Sequence, residues 1–253
     1  MKMIISPAKK MHSEPTPLSW RNMPQFLEEA DDLRQYLAAL SYGEAKALWK
    51  CNDKIATLNF ERFASMDVRK PQNPAILAYE GIQYQYMAPA VFESASLAYV
   101  EEHLRILSGF YGLLRPFDGI VAYRLEMQAK IDWKGCHTLY DYWGGRLANQ
   151  LLKETDCIIN LASNEYSRSI KRYWPDDREW IDVIFGEKTD GKIKEKGTMV
   201  KMARGEMVRY MADHQVENLE EMKNFDRLGY RFEESLSNRR TFIFVMQKDS
   251  VTD

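Results

Sequence analysis

Long hydrophobic runs are missing from this chain. None exceeds five residues, as in Tyr36–Leu40, Ala75–Tyr79 and Phe242–Met246. A membrane-spanning helix needs about 18 or more, so no membrane partner is expected. Cysteine is scarce. Cys51, Cys136 and Cys157 are odd in number and far apart, which argues against a disulfide framework and for a reducing compartment. The opening MKMIISP is too short an apolar stretch for a signal peptide, and the expected location is the cytoplasm. There is no Walker loop and no G-x-G-x-x-G, nor a G-x-S-x-G nucleophile elbow. His12, His103, His137 and His214 are scattered, with no Cys/His spacing suited to zinc. No metal and no cofactor are expected.

What is present is an ordinary globular composition, 45% hydrophobic and 28% charged over 253 residues. No repeat, low-complexity tract or linker divides it, so residues 1–253 read as one domain. The net charge of −2 argues mildly against a nucleic-acid binder, but the charge is unevenly spread. Lys2, Lys9 and Lys10 have no acidic neighbour among the first eleven residues, and Lys192–Arg209 holds six basic and two acidic residues. Acid gathers at Glu28, Glu29, Asp31 and Asp32 and again at Glu217, Glu220 and Glu221. Such a chain can fold with one basic cleft and an acidic remainder.

The apolar pattern predicts a short buried strand over Met3–Ser6, stopped by Pro7, and a loop over residues 12–24. Phe26, Leu27, Ala30, Leu33, Leu37 and Leu40 recur at helical spacing. Ser41 with Glu44 makes a capping box for a second helix to about Lys50, and a third follows Asn52-Asp53. Further strands are expected at Ala75–Tyr79, from Leu104, around Ala122–Met127, and at Asp156–Ala162, Trp180–Phe185 and Thr241–Met246. Helices are expected over 89–103, Leu139–Leu152, Ser163–Arg172 and 199–212, with a hairpin turn at Asp190-Gly191. Strands and helices mix without strict alternation, which predicts a mixed α/β (α+β-like) domain. Residues 25–66 form its helical part.

Five stations could carry chemistry. In Leu104–Met127, Arg105, Arg115 and Arg124 sit among aromatics and aliphatics in chain broken by Gly109, Gly112, Pro116 and Gly119, which reads as an anion site. Arg124 with Glu126 can equally be a structural ion pair, since alternate strand residues share a face. Ser6-Pro7-Ala8-Lys9-Lys10 follows the first strand, at a sheet rim where ligands bind. At Asn160–Tyr166 a buried strand runs into a helix N-terminus at Ser163, an anion site or a routine N-cap. Lys171 and Arg172 lie beyond. Lys201 and Arg204 share one face of a helix, for phosphate contact or simply for solvent. The helix pair around Cys51-Asn52-Asp53 could present backbone amides, although it lacks the glycine-hydrophobic-glycine turn of such modules.

Taken in order, these stations resemble the YaaA family of bacterial peroxide-stress-resistance proteins. The resemblance spans nearly the whole chain. It rests on Ile4-Ile5-Ser6-Pro7-Ala8-Lys9, on His103–Pro116 followed by Tyr123–Met127, on Leu139–Gly144, Ile159–Tyr166 and Lys201–Gly205, and on Phe225 with Gly229-Tyr230. It implies a cytoplasmic protein that limits damage from hydrogen peroxide by keeping free iron low. It also implies a single domain of unusual topology: a central mixed sheet flanked by helices, a basic cleft, a helix-hairpin-helix-like element and duplex DNA as partner. By position that element is 41–66. Lys10 departs from the small polar residue expected after Ala-Lys.

On this reading Lys9, Lys10, Arg105, Arg115, Arg124, Ser163, Lys171, Lys201 and Arg204 contact phosphates, with little sequence specificity. No catalytic residue is assigned. The alternative is an enzyme acting on a nucleotide, nucleobase or damaged DNA in the same cleft, with a nucleotide-like ligand. Its candidates are Glu165 and Glu126 as bases, with Ser163 and Tyr166.

Overall fold

The computed structural model describes residues 1–189 and 191–247. Its centre is a mixed eight-stranded sheet. In spatial order the strands are Tyr230–Phe232, Thr241–Met246, Glu179–Thr189, Cys157–Asn160, Lys2–Ile5, Leu104–Ser108 and Gly112–Leu114, with Lys192–Lys194 paired to the end of Glu179–Thr189. The five inner strands are parallel. The two outermost pairings are antiparallel. Parallel strands are covered on both faces, and Lys2–Ile5 is accordingly buried at every residue.

Lys2–Ile5 comes first in sequence but lies in the middle of the sheet. The next strand of the sheet, Leu104–Ser108, pairs on one side, with Met3 opposite Leu104. The chain then crosses over and lays Cys157–Asn160 on the other side, with Met3 opposite Ile159. The carboxyl ends of Lys2–Ile5 and Cys157–Asn160 therefore open side by side where the direction of winding reverses. Such a point is the usual ligand crevice of an open α/β sheet.

Over that crevice the helix Gly197–Asp213 packs on the short helix Ile82–Met87. Gly205 makes the contact: a Cβ there would meet Gln83 O at 2.1 Å and Met87 N at 2.9 Å. The approach brings Gln83 and Arg204, on facing helices, to the same opening.

The capping box of Ser41 and Glu44 forms as expected and starts the helix Tyr42–Trp49. A turn through left-handed Lys50 leads to Asp53–Ser65, where the Asn52 side chain accepts from Ile55 N at 3.0 Å. Trp49 and Phe63 stack at 5.8 Å, and Lys46 pairs with Asp53 at 2.7 Å across the turn. The result is two capped helices joined by a short turn.

Several expectations are corrected. Ala75–Ala78 is a single helical turn, not a strand, flanked by the two-residue strands Asn73–Pro74 and Tyr79–Glu80. An apolar run of five residues has no period of its own. Here Ala75 N and Ile76 N donate to Asp118 O and Pro116 O, which anchors the turn. Ala122–Met127 forms no strand. The segment crosses tightly over Gly109, whose absent Cβ would meet Leu125 O at 2.5 Å, and Tyr123 N donates to Met11 Sδ instead of to a ladder. Leu139–Leu152 is two helices, Leu139–Trp143 and Arg146–Leu152, because Gly144 takes φ +50° between them. The helical region 89–103 begins with a 3₁₀ turn, Pro89–Val91, ahead of Ser94–His103. Of the hairpin expected at Asp190-Gly191, Asp190 lies outside the described residues; Gly191 has φ +73°. Among the described residues no helix is long and apolar enough to cross a membrane.

Candidate functional site

At the crevice lies a cavity of about 550 Å³, lined by Ser6–Lys10, Glu80–Tyr84, Ser163, Glu165, Tyr166, Lys201 and Arg204. A smaller cavity adjoins it through Pro7, Ala8, Lys9 and Tyr166, and adds Tyr123–Glu126. The sites expected at Ser6–Lys10, Asn160–Tyr166 and Lys201–Arg204, separated by up to about two hundred residues in the chain, thus meet at one place.

The floor is formed by the two strand ends. Ser163 N donates to Ser6 Oγ at 2.9 Å, and Ser6 Oγ donates to Ser163 Oγ at 3.2 Å. Ser163 does stand at the N-cap of Asn164–Lys171, but its side chain makes no capping bond. The backbone is tied down from the other side, since Tyr84 OH donates to Ser6 O at 3.0 Å. Gly81 allows this approach; a Cβ there would come within 2.9 Å of Ala8 Cβ.

The cleft carries both signs of charge. Lys9 and Arg124 both hold Glu126, each at 2.8 Å. Lys10 pairs with Glu80, whose other oxygen lies 2.9 Å from His12 Nδ1. Lys201 and Arg204 have no ion-pair partner among the described residues. Burial pulls the Arg204 guanidinium below the ordinary arginine range, and the charge of Glu195 works against that. Glu165 is half-buried, with Oε1 accepting from Gln128 N at 3.3 Å. Burial raises its carboxyl above the usual range, the Gln128 N–H opposes this, the charge of Glu126 adds to it, and Lys9 opposes it. Burial likewise raises the Tyr166 phenol well above its ordinary value.

Five buried side-chain polar atoms of the described residues have no hydrogen-bond partner: Trp49 Nε1, Asn59 Oδ1, Gln83 Nε2, Arg124 Nε and Arg204 Nε. Three of them, all donors, belong to residues lining the two joined cavities. Buried donors left unpaired cost about 1–3 kcal/mol each, and most native ones are satisfied. The nitrogens themselves are closed off from solvent, so they mark strain in the walls of the cleft.

Three of the expected cleft cations lie elsewhere. Arg105 is buried on its strand; its Nε is 2.7 Å from Glu154, and Nη1 donates to the carbonyls of Glu101, Glu102 and Leu104. Arg115 closes a turn, 3.0 Å from buried Asp118. Lys171 pairs with Asp182 at 2.6 Å in a separate hollow beside Trp174 and Trp180. Each is neutralised by a carboxylate, whether near in sequence, as for Arg115, or far, as for Arg105. Conversely, Gln83, Tyr84, Glu80 and Gly81 were not anticipated. Gly81 at the head of Ile-Gln-Tyr-Gln-Tyr was their only sequence signal, as a mark of close backbone approach.

The fold and the crevice define a class: an α/β protein with a mixed-charge cleft at the carboxyl ends of adjacent parallel strands. The family described as peroxide stress protein YaaA matches residues 1–236. A UPF0246 protein of Lachnoclostridium phytofermentans is 52% identical over 253 residues, covering 100% of this chain and 99% of its own. One from Desulfitobacterium hafniense is 54% identical over 97% of this chain and 98% of its own, and one from Pediococcus pentosaceus is 47% identical over the same shares. The chain belongs to the peroxide stress protein YaaA family.

Proposed function

We propose that this protein acts in peroxide stress by binding DNA, with one phosphate-bearing nucleotide unit entering the cleft, and that this binding helps limit iron-driven DNA damage. The observation that carries the reading is that Lys201 and Arg204 line the cavity with no ion-pair partner among the described residues, and so supply charge not already neutralised there. The cavity has the size of a small-molecule pocket, so it suits a single nucleotide from a strand or a flipped position, while the duplex rests on the rim. Lys50 and Lys54, exposed on either side of the hairpin turn, give the helical hairpin a second phosphate contact.

The test is binding of labelled duplex and single strands across a salt series. Log affinity should fall with log salt by about 0.9 per phosphate contact on duplex and about 0.7 on a single strand. A Lys201→Ala/Arg204→Ala double variant should bind more weakly with a shallower slope. No binding at low salt, or a flat slope, would end the proposal. The second reading, an enzyme acting on a nucleotide, nucleobase or damaged DNA, is favoured by Glu126 and Glu165 flanking Lys9 beside the same cations.

A further inference from the structure

We propose that the cleft hydrolyses the N-glycosidic bond of a nucleotide, with Glu165 as general acid and Glu126 as the carboxylate facing the sugar. The proposal rests on the reading of the cleft as a nucleotide-phosphate site and adds a reaction to it.

The argument starts from where the charges lie. Lys201 and Arg204 line the larger cavity only. Glu126 lies in the smaller one, which neither of them lines. Lys9 belongs to both and reaches Glu126 at 2.8 Å. A ligand whose phosphate sits on Lys201 and Arg204 shares its cavity with Glu165, and Glu126 adjoins that cavity in a nook of about 10 Å³. That polarity selects the chemistry. Attack on phosphorus builds negative charge, which a carboxylate repels. Departure of a base from a sugar builds positive, oxocarbenium-like charge at C1′, which a carboxylate stabilises. Pro7, Ala8, Tyr84 and Tyr166 line the larger cavity with Lys201 and Arg204, an apolar and aromatic surface suited to the flat face of a base.

The two carboxyls are differently placed. Glu126 is gripped by two cations, at 2.8 Å each. Glu165 accepts one long bond from Gln128 N and has no cation of its own within ion-pair distance among the described residues. Burial favours its protonated form. Two carboxyls in such unlike surroundings can divide the roles of acid and base between them.

The step balances without an oxidant or a cofactor. The bond from C1′ to the base nitrogen breaks, and its electron pair leaves with the base. The base takes the proton of Glu165. A water forms the new C1′–oxygen bond and gives its proton to Glu126. Nucleotide and water become sugar phosphate and free base, and exchange with solvent restores both carboxyls.

The experiment uses the full chain with nucleoside monophosphates and end-labelled oligonucleotides carrying normal, deaminated or oxidised purines. Free base is measured by chromatography and abasic sites by alkaline cleavage, from pH 5 to 9, with binding of each probe measured in parallel. Wild-type protein should release base. Glu165→Gln should slow release 10²–10⁴-fold and abolish the alkaline fall in rate, while binding the probe within a few-fold. The charged groups sharing the cavity with Glu165 are Lys9, Lys10, Glu80, Lys201 and Arg204, with Glu126 adjoining, so the alkaline limb must vanish with Glu165→Gln and persist in Lys10→Ala to belong to Glu165. Glu126→Gln should lower turnover while binding the probe. Binding without base release from any probe overturns the hydrolytic proposal and leaves the phosphate site standing. Absence of binding removes the reading beneath it. An unchanged rate in Glu165→Gln removes Glu165 as the acid.

Discussion

Ser163 N donates to Ser6 Oγ at 2.9 Å and so joins the carboxyl ends of two neighbouring parallel strands, 157 residues apart. Ser6→Ala leaves the Ser163 N–H without its acceptor, and a loss of about 1–2 kcal/mol is expected in urea unfolding. Weaker probe binding should accompany it, because the floor of the cleft loosens.

Arg204 and Arg105 should respond in opposite ways to the same change. Arg204→Met removes a guanidinium with no ion-pair partner among the described residues and relieves its desolvation. The melting temperature should hold or rise while anion binding falls. Arg105→Met abandons Glu154 and three backbone carbonyls. A loss of about 3–5 kcal/mol is expected, as when one partner of a buried pair is removed, with binding per folded molecule unchanged. Thermal unfolding and titration of both variants, side by side, check the contrast.

Gly205→Ala should be costly for its size. The added methyl would meet Gln83 O at 2.1 Å, and backbone cannot rotate away as a side chain can. Overpacking of this kind costs about 1–3 kcal/mol or more. Since Gln83 and Arg204 flank the contact, probe affinity should drop too. Gly197→Ala, where the added methyl meets nothing within 4 Å, is the control by calorimetry.

Asp118 sets a pH dependence. Burial pushes its carboxyl from 3.8 up to about 6, against the hydrogen bonds and charge of Arg115. A raised carboxyl binds its proton more tightly when folded. Its contribution to stability is therefore complete below about pH 3.8 and is lost as the pH rises through about 6. The rise corresponds to roughly 3 kcal/mol. Asp118→Asn does not titrate, so the stability difference between wild type and variant should shift by up to that amount between pH 4 and 7. Parallel urea curves at the two pH values measure it; a constant difference would rule it out.

Some local signals suffice because the structure they specify is local. The capping box of Ser41 and Glu44 needs only three residues and a helix start. The helical period over 199–212 and the buried strand at the N-terminus carry their own geometry. Two of the differences from expectation arise where neighbours decide. Ala75–Ala78 became a helical turn because two of its amides found carbonyls beyond Arg115. Ala122–Met127 lost its ladder because it crosses Gly109.

The site divides in the same way. Composition and order alone determined that Lys9, Ser163, Glu165, Lys201 and Arg204 stand at element ends or on one helix face, and they identified the family. Only the tertiary structure decided that Arg105, Arg115 and Lys171 are spent on Glu154, Asp118 and Asp182, and that Gln83 joins the cleft. The reason is physical. Whether an arginine is neutralised or left open depends on a carboxylate within about 4 Å, and the distance along the chain to that carboxylate ranges here from three residues to forty-nine.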